Sequence, residues 1–231
     1  MVAVSTLFVT FSYLVAALAA PTSSETQKDV DVAARGPHDF FLGADNALKR
    51  RAAIDYQQDY TTDSTVNYSP TSTGFSVDWT NSQDFVVGVG WKTGTTSPIT
   101  FDGDFSVDEG SGTGLLSVYG WTTDPLVEYY VIENALNPPQ QGTIKGTFTS
   151  DGSEYTIWEN QRVNEPSILG TSTFNQYISI RSSPRSSGTV TIENHFKQWA
   201  SLGLDLGTFN YQVIAVEGWS SSGSAKQTVS N

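Results

Sequence analysis

Two glutamates stand inside stretches of sequence that otherwise carry apolar and aromatic side chains. Glu128 lies within residues 125–130 and Glu217 within residues 211–219. Side chains two apart along a β-strand share a face, so Glu128 should project beside Tyr130. By the same parity Glu217 should project beside Tyr211 and Trp219. A carboxylate in an apolar strand costs free energy unless water or a partner satisfies it, so both glutamates are candidates for chemistry.

Carboxylates that share a face with aromatic rings are suited to glycan hydrolysis. Sugar rings stack on aromatic faces, and tyrosine hydroxyls hydrogen-bond to sugar hydroxyls. Cleavage needs one carboxylic acid to protonate the leaving oxygen and one carboxylate across the anomeric carbon. Tyr119 and Trp121 share a face in a third stretch. Two other interpretations fit the same residues: edge-strand glutamates that face water, and a carbohydrate-binding module without catalysis.

The chain has few of the side chains that other kinds of catalytic or metal-binding site require. It has two histidines and no cysteine, so a Ser-His-Asp triad has few candidate residues and a zinc site has no Cys or His cluster. His38 precedes the predicted domain, and His195 is predicted to be structural. The acidic run Asp102, Asp104, Asp108 and Glu109 lacks EF-hand spacing and is predicted to be a solvated loop rather than a calcium site. No nucleotide-binding glycine motif is present, so neither cofactor nor metal is expected.

The charge of the chain limits its partners. The net charge is −12 at pH 7, which should repel nucleic acid and anionic membrane surfaces but not a neutral polymer. Without cysteine no disulfide can form, so stability must come from sheet packing. We expect a monomer that binds neither nucleic acid nor membrane.

The first 51 residues are predicted to lie outside the folded domain. Residues 7–20 are apolar and end in small side chains, which indicates a signal peptide over residues 1–19 and a secreted, extracellular protein. A membrane anchor is the alternative, but the run is too short to span a bilayer comfortably. Residues 20–51 are polar and end in Lys49-Arg50-Arg51, which indicates a propeptide or a disordered linker. Residues 52–231 form the predicted domain.

Short strands separated by turn residues dominate the predicted domain. The clearest are residues 74–79, 84–88, 115–121, 127–133, 155–163, 174–181 and 211–219. They predict an all-β jelly-roll β-sandwich of two curved antiparallel sheets with an open cleft. Apolar side chains at spacings of three and four predict a single α-helix over about 192–202, capped by Thr191 and ended by Gly203.

From about Val66 to Ser230 the chain resembles glycoside hydrolase family 11, the small jelly-roll xylanases. The matching segments are residues 116–121, 125–130, 162–164, 166–168, 174–177, 216–218 and 221–224, in the order and at the spacing of the family. The resemblance implies a secreted endo-1,4-β-xylanase. It would hydrolyse internal β-1,4-xylosidic bonds of xylan by a retaining double displacement.

The resemblance also implies a role for individual residues. Glu128 matches the nucleophile and Glu217 the general acid/base. Asp84 matches the residue beside the acid/base, where an aspartate goes with an acidic pH optimum. The positions that match substrate-binding residues are Tyr119, Trp121, Tyr130, Arg162, Pro166, Phe174, Gln176, Tyr211 and Trp219. Pro166 begins the tip of a closing loop, the thumb.

Three positions depart from the family pattern. Residues 53–60 lack the tryptophan that the family uses to stack on substrate, and Tyr56 or Tyr60 would have to replace it. Ile178 stands where the family generally has Trp, and Val89 where it often has Lys. The missing tryptophan leaves open a binding or elicitor protein on the same scaffold, and an endoglucanase of the related jelly-roll family 12 is a further alternative.

Overall fold

The computed structural model describes residues 52–62, 65–110 and 112–231. The predicted signal peptide (1–19) and the predicted propeptide or linker (20–51) lie outside the described residues. In the described part of the chain, no helix combines the length and apolar character needed to cross a bilayer.

The described residues form thirteen strands and one helix, arranged as two sheets. The elements are β1 (Tyr56–Thr61), β2 (Val66–Thr71), β3 (Gly74–Ser82), β4 (Phe85–Trp91), β5 (Ile99–Val107), β6 (Thr113–Thr123), β7 (Val127–Leu136), β8 (Thr143–Ser150), β9 (Ser153–Ser167), β10 (Gly170–Arg181), β11 (Gly188–Val190), α1 (Ile192–Ser201), β12 (Thr208–Trp219) and β13 (Ser221–Ser230). The large sheet has the order β1-β4-β12-β6-β7-β10-β9-β8, and the small one β11-β5-β13-β3-β2. This architecture confirms the predicted jelly-roll β-sandwich with a single helix.

The predicted strands are found, with small differences at their ends. Each of the seven lies within an observed strand, except that Asp84 precedes β4 by one residue. The acidic residues Asp102 and Asp104 were predicted to lie in a loop, and this is wrong: both lie exposed in β5, which is paired on both sides. Among the described residues no three His, Cys, Asp or Glu side chains group so that they could hold a metal ion.

The prediction of purely antiparallel sheets is wrong for one pair of strands. β10 runs parallel to β7, with Gln176 opposite Glu128. The strands β8, β9 and β10 form an antiparallel meander whose last strand lies innermost, against β7. Two strands, β8 and β9, separate the two partners in sequence. Because β8 runs in the same direction as β7, and the meander reverses direction twice between β8 and β10, β10 also runs parallel to β7.

The helix lies on the core side of the large sheet. Its buried residues include Phe196 and Trp199, and the indole N–H of Trp199 donates to Ser179 Oγ at 3.0 Å. The helix ends at Ser201, one residue before the predicted end, and Gly203 follows with a φ of +75° that favours glycine. Thr191 is the N-cap residue, as predicted, but its side chain makes no capping hydrogen bond, because its hydroxyl donates to the carboxylate of Asp151 at 2.7 Å.

The large sheet buries side chains on both of its faces. One face packs against the small sheet and α1, and β6 is buried along nearly its whole length. The opposite face carries a second group, the cleft-face cluster: Leu115, Tyr119, Trp121, Tyr130, Ile132, Phe174, Ile178, Tyr211, Val213 and Ala215. No further layer of the described residues covers this face, so the rings must be buried by one another as the twisted sheet curls. The cluster forms the floor of the cleft.

Candidate active site

The register of the central strands gathers the predicted site residues on the cleft face. On β6 and β7, Trp121 pairs with Glu128, and Tyr119 pairs with Tyr130. On β12, Val213 pairs with Tyr119, so the alternating residues Tyr211 and Glu217 share the face of these side chains. The strand parity read from the sequence therefore matches the arrangement of the sheet.

Glu128 accepts three hydrogen bonds in a site that is 8% exposed. The hydroxyls of Tyr119 and Tyr130 donate to its Oε1 at 2.8 and 3.1 Å, and Gln176 Nε2 donates to its Oε2 at 2.7 Å. Burial raises the pKa of Glu128, while these three donors and the positive charge of Arg162 oppose that rise. Donors that favour the charged form suit a carboxylate that must act ionised.

Glu217 occupies a contrasting environment. The residue is partly exposed, yet its Oε2 is buried without a hydrogen-bond partner. Burial raises the pKa of Glu217 well above its ordinary value, and the negative charges of Glu128 and Asp84 raise it further. The nearby positive charge of Arg162 acts in the opposite direction without cancelling the rise. This environment suits a carboxyl group that keeps its proton.

Asp84 lies near both glutamates, at the start of β4. Thr62 holds its backbone: Asp84 N donates to Thr62 Oγ1 at 3.0 Å, and Thr62 N donates to the Asp84 carbonyl oxygen at 3.2 Å. Burial, followed by the charge of Glu128, raises the pKa of Asp84 to about 6. The three carboxyl groups therefore form one electrostatically coupled site.

Aromatic rings continue the site along the cleft. Tyr56 of β1 stacks on Tyr211 with ring centroids 4.5 Å apart and planes 17° apart. Tyr211 in turn lies 5.9 Å from Tyr119, with tilted planes. Tyr56 thus extends the ring platform where the family tryptophan is missing. Tyr60 lies on the same face of β1, and burial, followed by the charge of Asp84, raises its pKa.

The remaining predicted residues line the cleft or its rim. Phe174 packs on Trp121 with ring centroids 4.9 Å apart, and Trp219 is half-buried against the cleft-face cluster at the end of β12. Arg162 forms an ion pair with Glu165 at 3.4 Å. Its charge acts on all three carboxyl groups of the site.

The predicted thumb is the hairpin between β9 and β10. Pro166 is exposed and pairs with Thr171 near the tip. Ser167 Oγ donates to the carbonyl oxygen of Gly170 at 2.6 Å, which closes the turn. Ile168 packs against the cleft-face cluster, so the tip of the hairpin contacts the floor of the cleft.

Sequence reasoning missed Asn160, whose Nδ2 donates to Gln176 Oε1 at 2.7 Å. Its strand parity with Arg162 was the available signal, because residues 160 and 162 share a face. Of the departures from the family pattern, Ile178 is buried in the cleft-face cluster and Val89 in the core between the sheets.

Comparison with known proteins agrees with this arrangement. Residues 52–228 match the model of the glycosyl hydrolases family 11. The chain is 63% identical to endo-1,4-beta-xylanase 1 of Hypocrea jecorina and 58% identical to ethylene-inducing xylanase 2 of Botryotinia fuckeliana, each over the full length of both proteins. A solved structure described as a structural comparison of two major endo-1,4-beta-xylanases from T. reesei superposes with a TM-score of 0.75 at 68% identity. It covers 78% of this chain and 100% of that one. The chain is a glycoside hydrolase and belongs to glycosyl hydrolase family 11.

Proposed function

We propose that the chain is a secreted endo-1,4-β-xylanase that cleaves internal bonds of xylan with retention of configuration, with Glu128 as nucleophile and Glu217 as general acid/base. One observation carries the assignment of roles: two carboxyl groups on one cleft face stand in opposite environments. Three donors surround Glu128, whereas Glu217 Oε2 is buried without a partner. Environments that push two pKa values apart separate the base from the acid.

The reaction then proceeds in two displacements. In the first, a carboxylate oxygen of Glu128 attacks the anomeric carbon while Glu217 gives its proton to the glycosidic oxygen, which leaves with the rest of the chain. In the second, the Glu217 carboxylate takes a proton from water, whose oxygen attacks the same carbon and expels Glu128. Two inversions return the β-configuration.

Xylan is supported as the substrate by the relatives, several of which are endo-1,4-beta-xylanases by name. The ring platform of Tyr56 and Tyr211 suits stacking of neutral sugars, and the net charge of −12 does not oppose a neutral polymer. Tyr119, Tyr130, Arg162 and Gln176 would contact the central sugars, with Trp121, Phe174, Trp219 and the Pro166 thumb around them. Neither cofactor nor metal ion takes part, and the chain acts as a monomer.

An acidic optimum follows from Asp84. The rising limb of the pH profile would report ionisation of Glu128. Proton transfer leaves Glu217 negative, and an ionised Asp84 opposes that charge. Turnover should therefore fall as Asp84 loses its proton, at a pKa of about 6.

Secretion rests on the sequence of the first 51 residues. The apolar run supports a signal peptide over residues 1–19, and the basic cluster at residues 49–51 supports removal of a propeptide over residues 20–51. The catalytic domain would then comprise residues 52–231. Sequencing the N-terminus of the secreted protein tests the boundary at residue 52.

The test of function is hydrolysis of soluble xylan by the purified protein, with Glu128→Gln as the control. We expect sugar release from xylan but not from carboxymethylcellulose, and loss of turnover in the variant. Proton NMR of the earliest products should show the β-anomer first. Initial release of the α-anomer would refute the covalent intermediate, and binding of xylan without hydrolysis would favour the binding or elicitor protein.

A further inference from the structure

We propose that Asn160 is a positioning residue for the nucleophile: it holds Gln176 so that the amide nitrogen of that side chain faces Glu128. The inference rests on the proposed function, because it assumes that Glu128 must be ionised to react. It concerns a residue that contacts neither of the two glutamates.

The three side chains form one row across three strands. Asn160 on β9 pairs with Gln176 on β10, and Gln176 pairs with Glu128 on β7. Asn160 Nδ2 donates to Gln176 Oε1, and Gln176 Nε2 donates to Glu128 Oε2, both at 2.7 Å. Every donor in the row points towards the carboxylate, so each hydrogen bond polarises the next in the sense that favours a negative charge.

A carboxamide can be turned over with little change of shape, because its oxygen and nitrogen have similar size. Turned over, Gln176 would present its carbonyl oxygen to Glu128, which would favour the protonated acid and oppose the ionised one. Asn160 donates to that same oxygen and holds it on the side away from Glu128. The orientation of the Gln176 amide that keeps Glu128 ionised is therefore held by one hydrogen bond at its nitrogen and one at its oxygen.

On the opposite face of the same strands, a similar row of side-chain hydrogen bonds ends at the carboxylate of Glu159 instead of Glu128. Gln161 Nε2 donates to Asn175 Oδ1 at 3.4 Å, and Asn175 Nδ2 donates to Glu159 Oε1 at 3.2 Å. Lys145 already pairs with that carboxylate at 3.0 Å. Gln161 lies next to Asn160 in the sequence but faces away from the cleft, so Gln161→Ala is a matched control.

Loss of Asn160 should move the ionisation of Glu128 rather than weaken substrate binding. In Asn160→Ala we expect the rising limb of the kcat profile to move up by about half to one pH unit, which lowers kcat roughly three- to tenfold on that limb. KM should stay nearly constant, because Asn160 acts on the nucleophile and not on the bound sugars.

The experiment is a double-mutant cycle on the full chain. The kcat profiles of Asn160→Ala, Gln176→Ala, the double variant and Gln161→Ala are measured on a soluble aryl xylobioside. If Asn160 acts through Gln176, Asn160→Ala moves the limb in the parent but not in the Gln176→Ala background, and Gln161→Ala moves nothing. An equal displacement in both backgrounds, or in the control, overturns the proposal.

A direct titration separates this inference from the proposed function. The Glu128 carboxyl carbon, assigned by its loss in Glu128→Gln, is followed by ¹³C NMR in the parent and in Asn160→Ala. A higher pKa in Asn160→Ala supports the positioning role, and an unchanged pKa overturns it. Activity of Glu128→Gln on xylan would instead refute the proposed function, whatever the titration shows.

Discussion

Replacement of Asp84 by Asn should move the falling limb of the pH–rate profile to higher pH. The carboxamide keeps an oxygen that can accept from the backbone N–H of Phe85, as the carboxylate does. It carries no charge, so nothing at residue 84 opposes the negative charge that Glu217 acquires on proton transfer. The limb should then report loss of the proton from Glu217, whose pKa burial and the charge of Glu128 still raise.

The size of the effect follows from the pKa of Asp84, which rises from 3.8 to about 6. One pH unit corresponds to about 1.4 kcal/mol, so the site opposes ionisation of Asp84 by about 3 kcal/mol. Burial contributes more to this rise in the pKa of Asp84, and the negative charge of Glu128 contributes less. The charge of Asp84 also raises the pKa of Glu217, and removal of one like charge of this kind should move the limb by roughly one pH unit.

The same variant should also change stability in a pH-dependent way. The folded pKa of Asp84 lies above the unfolded one, so the folded state loses stability as pH rises from 3.8 to about 6. Asp84→Asn removes that loss. Its free energy of unfolding should exceed that of the parent by up to about 3 kcal/mol at pH 7. The difference should vanish below pH 3.8.

The assay is a kcat profile from pH 3 to 9 for both proteins on one soluble substrate, with urea unfolding at matched pH values. Retention of the Glu128-dependent activity in the variant confirms that the site is intact. Superimposable profiles would show that Asp84 does not set the falling limb. A stability difference that persisted unchanged at pH 3 would show that its charge is not the cause.

Three further changes test other parts of the site and core. Glu217→Gln should lower turnover of xylan roughly 10²- to 10⁴-fold but spare an aryl xylobioside with a dinitrophenolate leaving group, and equal losses would contradict its role as acid. Tyr56→Ala should raise KM about two- to twelvefold at constant kcat if its ring stacks on a sugar. An unchanged KM would show that the ring of Tyr56 does not bind the substrate. His195, buried with both ring nitrogens unpartnered, has its pKa lowered by burial to about 3, so stability should fall as pH drops below 6.5. Urea unfolding of His195→Phe at a series of pH values should show a shallower fall in the free energy of unfolding with decreasing pH. Parallel curves for the two proteins would show that the His195 imidazole is not the cause.

The sequence alone predicted those features of the site that depend on the alternation of side chains along a strand. Glu128, Tyr130 and Glu217 lie on the predicted face because side chains alternate in any strand. The helix was predicted to within one residue at its end because its apolar spacing is a local property. The identity of the family came from segments whose order and spacing are also readable from the sequence alone.

Contacts between distant strands could not be predicted in the same way. The parallel pairing of β7 and β10 depends on how a whole meander docks, and no residue within either strand encodes that direction. The stacking of Tyr56 on Tyr211 and the bond from Asn160 to Gln176 depend on the resulting register. The side chain of Thr191 does not hydrogen-bond to the helix that it precedes, because Asp151, forty residues away in sequence, accepts its hydroxyl hydrogen bond.

The parallel pairing has a consequence for the order in which activity is acquired during folding. Tyr119 and Tyr130 lie nine and two residues from Glu128, so the β6–β7 hairpin alone brings them together. Gln176 lies 48 residues away and reaches Glu128 only after the β8–β9–β10 meander has formed and docked. Closing a long loop is slower than closing a hairpin. In refolding from urea, catalytic activity should therefore return after the hairpin has formed, in step with the last strand to join the sheet.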